Sequence, residues 1–406
     1  MVAPGLPIGD RIRRCRKGRR QDVVAGLVGI TPDYLSQIER GLKVPSLHIL
    51  YAIARELGVP IAALLPEEAA PLTEAAVSAP APPSTAETHV VRALMGCGPS
   101  LSTPAVGPRD LRERIEAAWR SWRKSPTRFS DAARTLPTLI AEVEHSVRAH
   151  RAGSDAQARR EVLQAAADLY FLLRSYLRRT GRLDLSLMVA DRAVRAAEDA
   201  DDPLRVAAAQ WHMGHVLLAS DEVAGAEHVA MHGIDKLRAD APDSAERATM
   251  TGALHLVTVV AAARYRDWDA ARDRLREKAA PTAAVVGEGN LLWTVFGPTN
   301  VGLHGVSVET EAGETGEALH LADKIDTAGV QSIEREFTFT LEVARCYDLR
   351  REDAATLLHV LRLEALAPED LARTPMAGAL VLSLVRRARA MHARRAESLA
   401  HRLGVL

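Results

Sequence analysis

"QDVVAGLVGITPDYLSQIERG", residues 21–41, decides how the start of this chain folds. It holds two short apolar-periodic segments separated by "GIT", a break too tight for a loop and too punctuated for one continuous helix. Val24, Ala25 and Val28 share one face of the first segment, and Leu35 and Ile38 give the second its buried stripe. Gly29 stands where a tight turn needs positive φ, which glycine adopts without strain, and Ile30 then points back inward. Ala25 is small where two helices must cross closely. Thr31 is a good N-cap, and Pro32 suits the first helical position, where its missing N–H costs nothing. This is the spacing of a helix-turn-helix. Gly26, inside the first segment, costs about 1 kcal/mol relative to Ala and weakens that helix.

The flanking residues complete a five-helix unit. Ile8, Ile12 and Cys15 stripe a leading helix, and "PSLHILYAIARELGVPIAALL" gives a fourth helix followed by a short fifth. Ser46 caps the fourth helix, and Leu47, Leu50, Ile53, Ala54 and Leu57 form its apolar stripe. In this register "Q…A…GIT…YLSQIERG…PSLHILYAIARELGV" resembles the XRE/Cro family of helix-turn-helix regulators over almost all of residues 8–66. The resemblance implies a recognition helix whose N-terminal residues face base edges in the major groove. Here those are Pro32, Asp33, Ser36 and Gln37, with Tyr34 alongside. Gln37 can pair bidentately with adenine, and Asp33 can accept from a cytosine amino group. Pro32 has no side-chain donor, so direct base reading is sparse. Gln21, Thr31, Arg40, Lys43 and Ser46 fall where the family contacts phosphates, partly through helix N-termini. Charge agrees: residues 1–66 carry ten Lys/Arg against five Asp/Glu, although the whole chain has no net charge.

At 406 residues the chain exceeds one ordinary core, so more than one domain is expected. Abundant Ala and Leu with only 4% aromatics favour helices throughout. Cys15, Cys97 and Cys346, odd in number and far apart, suggest no disulfide framework and a reducing compartment. The N-terminal stretch lacks an apolar signal-peptide core, and runs such as "LHLVTVVAAA" at 254–263 are too short to span a bilayer. The expectation is a cytoplasmic protein with no membrane partner. Residues 67–108 are Pro, Ala, Ser and Thr without a sustained period and read as an extended linker.

From residue 109 to 406 the pattern is helix after helix. Five segments share a small residue after a charged turn: Ser186, Ala226, Ala271, Ala318 and Ala354, spaced by 40, 45, 47 and 36. Unequal spacing around the length of a helix pair is what a degenerate helical solenoid gives. The signature resembles tetratricopeptide repeats. With Ala226 at the family's small residue, Gly214 falls at its close-packed glycine and Leu217 at its large apolar position. Arg174, Val259, Val306 and Glu342 replace that glycine in the other repeats. The overall plan, and the segment "FGPTNVGLHGVSVETEAGETGEALHLADKI", resemble actinobacterial-type regulators that bind a peptide or small molecule in such an array.

That resemblance implies a concave groove lined by the first helix of each pair. Carried over, it places Phe171, Ser175 and Arg178 in the groove, then Trp211, His215 and Leu218, then Leu256, Val260 and Arg264. Asn300, Leu303, Ser307 and Glu311 follow, with Phe339 and Val343 last. The competing explanation is that half or more of these are helix-packing core, since a one-residue slip rotates every position by about 100°.

Other signals carry less. His212, His215, His228 and His232 have helical metal spacings, but Val229 stands where a zinc protease needs Glu, and the repeats put the pairs on different helices. "GEGNLL" at 287 lacks the third glycine of a dinucleotide loop and follows no strand, "GVSVE" lacks the closing glycine of a nucleophile elbow, and no Walker lysine occurs. No catalytic constellation, metal or cofactor is therefore expected. Trp119 and Trp122, three apart on one face, read as core rather than as a docking surface, and the Arg-rich end from 386 reads as a capping helix with a solvated face.

Together these readings give an all-α protein. Residues 1–66 form an XRE-type DNA-binding domain, 67–108 a Pro/Ala-rich linker, and 109–406 a tetratricopeptide-like repeat domain. The expected function is sequence-specific transcriptional regulation, not catalysis. The expected partners are operator DNA, a second copy of the chain, and a peptide or small-molecule effector. The alternative is a helical-repeat scaffold or adaptor whose DNA binding is incidental.

Overall fold

In the computed structural model of the chain, Gly29 adopts φ 79° and ψ 26° and closes α2 (Gln21–Val28) in the left-handed conformation. The Ile30 N–H then donates to the Ala25 carbonyl at 2.9 Å, which turns the chain back on itself. Thr31 Oγ1 accepts from the Tyr34 N–H at 3.2 Å, and Pro32 opens α3 (Pro32–Glu39). The helix-turn-helix is thus set by capping chemistry that the sequence makes legible. α1 (Ile8–Cys15) and α4 (Leu47–Leu57) complete the cover over Ile12, Val24, Ala25, Leu35, Ile38, Leu50 and Ile53, all buried. α1 crosses the end of α3 so closely that a Cβ on Gly9 would stand 2.3 Å from the Ile38 carbonyl oxygen.

The structure describes residues 8–40, 43, 45, 47–59, 64, 85–99, 104–151, 153–326, 332–387 and 390–406. Ser46 and most of the expected fifth helix lie outside the described residues, although Leu64 is buried in the N-terminal core. The chain divides into two compact units, Met1–Val77 and Ser78–Leu406. Among the described residues every regular element is helical, and no helix is long and apolar enough to cross a membrane.

The second unit begins inside the segment read from sequence as an extended linker. α5 (Thr85–Leu94) buries Val90, Ala93 and Leu94 against α7 (Arg128–Arg151), so residues 85–94 are docked helix rather than spacer. The apolar triplet supplies the stripe that the Ala/Pro-rich composition around it concealed. α6 (Pro108–Lys124) and α7 form the first hairpin, with Trp119 and Trp122 both buried. Trp119 Nε1 donates to the Asp168 carbonyl at 3.0 Å, in keeping with a core role.

Helix pairs follow: α8 (Ala156–Arg179) with α9 (Leu183–Asp199), and α10 (Pro203–Ala219) with α11 (Val223–Asp240). α12 (Ala245–Arg264) pairs with α13 (Trp268–Arg274), which runs through a π turn at Leu275–Ala279 into α14 (Ala280–Val286). Pro281, which has no N–H to give the preceding turn, sits just beyond that π turn. α15 (Pro298–Ala312) pairs with α16 (Thr315–Ala322), and α17 (Ile333–Leu349) with α18 (Asp353–Leu366). α19 (Pro368–Arg373), α20 (Pro375–Arg387) and α21 (Ala390–Leu403) close the chain, and α21 buries Leu399 and Ala400 while Arg394, Arg395 and Arg402 stay exposed.

The repeat is marked by its turn. Gly181, Asp221, Arg266, Gly313 and Arg351 each adopt positive φ between the two helices of a pair. One residue on, the N–H reaches back across the turn: Arg182 to Leu177 O, Glu222 to Leu217 O, Asp267 to Ala262 O, Glu314 to Glu309 O and Glu352 to Tyr347 O, at 2.9–3.0 Å. Five residues after each left-handed residue comes a fully buried small side chain: Ser186, Ala226, Ala271, Ala318 and Thr356. The fifth position is therefore Thr356 rather than Ala354, which is exposed. By the same register Ala344, not Glu342, takes the place that Gly214 holds in its repeat. The charged run "LRRED" offers two alignments, and only the backbone turn distinguishes them.

The array closes on itself. Arg128, at the start of α7, forms a bidentate pair with Asp370 of α19, and both side chains are wholly buried. Arg179 reaches Glu334 at 2.7 Å and Asp370 at 3.5 Å, which binds the end of α8 to α17 and α19. Glu369 Oε2 accepts the Phe129 and Ser130 N–H groups at 2.8 and 3.2 Å, capping α7 from the far end of the array.

Packing around two glycines makes a test of the N-terminal unit. Gly26→Ala, with nothing within 4 Å of the new methyl, should stabilise that unit by about 1 kcal/mol, whereas Gly9→Ala must displace backbone and should destabilise it by more. Urea melts of both variants measure this, and equal shifts of the same sign would contradict the packing described.

Candidate DNA-reading helix and interior groove

The leading edge of α3 is open. Pro32 and Asp33 are exposed, Ser36 and Gln37 half-buried, and Lys43 Nζ sits 5.5 Å from the ring centroid of half-buried Tyr34. Gln37 Nε2 donates to Asp33 Oδ2 at 2.7 Å, so the two expected base readers hold one another one turn apart. This bond uses one N–H of the Gln37 amide and fixes its orientation, leaving the second N–H and the carbonyl oxygen. Thr31 is exposed with its hydroxyl engaged as the cap, and the exposed Arg40 guanidinium lies 3.4 Å from the Ser36 carbonyl.

Gln21, expected at a phosphate, turns its side-chain amide to Glu39 Oε2 at 2.7 Å. Glu39 is 7% exposed and also takes Arg16 Nε at 2.9 Å, so this carboxylate ties α2 and the α1 end to the recognition helix. Any phosphate contact by Gln21 has to use its backbone N–H at the start of α2. Arg13, Arg14, Lys17, Arg40 and Lys43 form no ion pair with a carboxylate among the described residues, and their charge is free to meet a polyanion.

In the second unit the expected groove residues separate into two sets. Phe171, Leu218, Leu256 and Val343 are core side chains; Phe171 stacks on His212 at 4.4 Å between centroids, and Ser175 Oγ bonds the Phe171 carbonyl. These positions, read from the sequence as groove lining, are buried in the helix packing. Trp211, 6% exposed, packs edge-on to His212 and His215, with ring centroids 4.8 and 4.4 Å away. Arg178, His215, Val260, Leu303, Ser307, Glu311 and Phe339 remain half-buried, and Arg264 is exposed. Asn300 is 4% exposed, and its Oδ1 has no hydrogen-bond partner. His228 and His232 stack on each other along α11, away from His212, whose Nδ1 faces Arg174.

Sequence reasoning missed the most charged part of this interior. Arg174 is 4% exposed and bonds only the His212 imidazole, at 2.9 Å through Nε. Burial and then the Arg178 charge pull the Arg174 guanidinium down to about 9. His215 is held well below the usual imidazole range by burial and by Arg174, Arg178 and Arg335, and burial with Arg335 takes His304 down to about 4. Against its burial, Arg179, Arg128 and Arg178 hold the Glu334 carboxyl well below the carboxylate range. Arg174 occupies the place of a packing glycine in its repeat, a position that the repeat pattern assigns to helix packing rather than to a ligand.

The segment between α14 and α15 lies against the same interior. Leu292, Trp293 and Val295 take φ of 45°, 66° and 51°, a costly conformation above all for β-branched Val295. Trp293 stacks on Trp119 at 4.8 Å, Phe296 is fully buried, and the Thr294 carbonyl accepts from Arg335 at 3.4 Å. A separate open recess of about 760 Å³ lies on the outside between α5, α7 and Arg192, where Glu144 already takes both Arg192 and the Tyr170 hydroxyl.

Glu342 gives a pH test. Burial pushes its carboxyl up to about 7 against the pull of Arg345, with Glu311 adding to the rise and Ser307 opposing it. Between pH 4.5 and about 7 the folded chain keeps a proton that the unfolded chain has lost, so this group's contribution to stability falls as pH rises. His304 acts in the opposite sense, losing stability as pH falls from 6.5 towards about 4. The stability of wild type minus that of Glu342→Gln should therefore decline from pH 4.5 to about 7. Denaturant melts across that range check it, and a pH-independent difference would contradict it.

The family described as Helix-turn-helix matches residues 11–64. No curated protein matches the chain. Among solved structures, that of Bacillus thuringiensis PlcR in complex with the peptide PapR7 and DNA is similar at 14% identity. The match covers 70% of this chain and 96% of that one with a TM-score of 0.30, a likeness too loose to position any residue. Residues 11–64 are a helix-turn-helix domain of the XRE type, carried ahead of an all-helical unit.

Proposed function

We propose that the chain is a sequence-specific DNA-binding transcriptional regulator. Residues 1–66 read the operator, and the helical unit both dimerises and senses a peptide or small-molecule effector. The observation that carries this reading is α3 itself: capped by Thr31, buttressed through Glu39, and open along Pro32, Asp33, Ser36 and Gln37 in a domain with a basic excess. A five-helix domain alone buries a small DNA interface, so useful affinity needs two copies on half-sites about 34 Å apart, or a multiple of that. The repeat unit is the part large enough to hold the pair. An effector that prefers one curvature of the array then shifts operator affinity by its differential binding, on the order of 1–3 kcal/mol.

Selection of bound sequences from a random duplex pool by the full chain is the direct test. The regulator reading predicts a two-fold symmetric motif, while the adaptor reading predicts no enrichment. Gln37→Ala should cost about 1–3 kcal/mol of discrimination at one base position, whereas Arg40→Ala should weaken all duplexes alike and flatten the salt slope by about one unit. Residues 1–77 alone should bind the selected site far more weakly than the full chain. Equal affinity would remove the repeat unit as dimeriser.

A further inference from the structure

The recess between the end of α5, the middle of α7 and Arg192 of α9 is set apart from the groove. Its volume of about 760 Å³ falls within the roughly 300–1,000 Å³ of small-molecule sites. One wall is the chain leaving α5. Gly96 turns it with φ 76°, and Gly98 then lies so close to α5 and α7 that a Cβ would stand 3.1 Å from Ala93 Cα and 3.8 Å from Ala141 Cβ. Exposed Met95 and Pro99 line the recess from this turn, with Ala141 of α7 as a further apolar contact. A methionine side chain adapts its shape to what it covers.

The polar groups come from α7 and α9. Ala141, Glu144, His145 and Arg148 share one face of α7 by their spacing. Glu144 is already engaged: it accepts the Tyr170 hydroxyl at 2.7 Å and lies 3.4 Å from Arg192 Nη1, which also approaches the Leu94 carbonyl at 3.5 Å. Arg148 stands 4.0 Å from the same carboxylate, beyond hydrogen-bonding distance. Neither Arg148 nor half-buried His145 forms a hydrogen bond among the described residues. Two guanidinium groups therefore share one carboxylate, which leaves one positive charge in excess beside an apolar wall.

We infer that this recess binds a small organic acid, with its carboxylate on Arg148, Arg192 and His145 and its apolar body on Met95, Pro99 and Ala141. One excess charge suits a monoanion, and the guanidinium fork matches a carboxylate. Inorganic phosphate has no body to cover the apolar wall. A peptide needs an acid for its ammonium group, and the carboxylate of the recess is taken. The bound acid acts on α5, the first described helix after the DNA-binding unit in sequence. Val90, Ala93 and Leu94 dock that helix, and Glu87 pairs with Arg373 at 3.2 Å. A ligand held between its end and α7 stabilises the docked form by mass action. This deepens the small-molecule sensing proposed for the helical unit, and its regulatory meaning rests on that proposal.

The test uses the full-length chain with a panel of aromatic and branched aliphatic monocarboxylic acids, each paired with its primary amide, and with inorganic phosphate. Saturation-transfer NMR reads binding, and hydrogen exchange reads residues 85–94. At least one acid should bind, its amide at least about tenfold more weakly, and exchange across residues 85–94 should slow with the acid present. Arg148→Gln, at an exposed side chain that ties no other element, should weaken the acid at least about tenfold and keep the wild-type melt. Arg195→Gln, exposed on α9 outside the recess, should leave binding unchanged. Acids and amides binding alike, no acid binding, phosphate binding as tightly as the best acid, or full binding by Arg148→Gln each overturns the inference. Acid binding with unchanged exchange in residues 85–94 overturns the action on α5. No DNA is present, so either result leaves the DNA-reading proposal to operator selection, whose failure with acid binding intact sinks only the regulator reading.

Discussion

The pair between Arg128 and Asp370 joins residues 242 apart in sequence with both side chains at 0% exposure. A helical array needs no such contact to exist, since each pair stacks on its neighbours alone. Closing it requires taking two charges fully out of water, a penalty of several kcal/mol per ion before their attraction is counted. Here the geometry returns that cost: the pair is bidentate, Arg179 and Glu334 extend it, and the Arg128 guanidinium lies 4.3 Å from the Trp122 ring centroid. Glu369, beside Asp370, caps α7 in the same contact.

The closure adds to the polar interior at the end of α8. α8 is buried almost all round because it has α6, α7, α9 and α10 against it and α17 with α19 at its end. Its Arg174 stands at a packing position of its repeat, where the hydrogen-bonding neighbour of the guanidinium among the described residues is the neutral His212 imidazole. The same enclosure depresses His215 and His304 and raises Glu342, in each case favouring the neutral form. The N-terminal unit has its own core and its own buried carboxylate, Glu39, which holds the recognition helix in place by the same device on a smaller scale.

What was legible in the sequence was what local chemistry determines. Gly29, Thr31 and Pro32 are consecutive instructions for a turn and a helix start, and each does in the structure what its residue type requires. The repeat length was legible too, because buried small residues recur. Its last register was not: Asp221, Arg266 and Arg351 take the left-handed turn that glycine takes at 181 and 313, and no residue type announces them. α5 was hidden because three buried residues, Val90, Ala93 and Leu94, sit in a stretch whose composition reads as spacer. Groove positions such as Phe171 and Leu256 went to the core because inheriting a concave face from open arrays ignores how tightly this one shuts. Arg128 and Asp370 carry no mutual signal at all in one sequence.

The closure can be measured directly by a double-mutant cycle across it, with Arg128→Met, Asp370→Leu and the two combined, followed by denaturant melts of the full chain. If the buried pair clasps the array, each single change leaves a buried charge with only its longer partner, Arg179 at 3.5 Å for Asp370 or Glu334 at 3.4 Å for Arg128, and costs on the order of 3 kcal/mol, while the double variant recovers a large part of the sum. Costs that simply add, or single variants within about 0.5 kcal/mol of wild type, would mean that the ends of the array are held by something else.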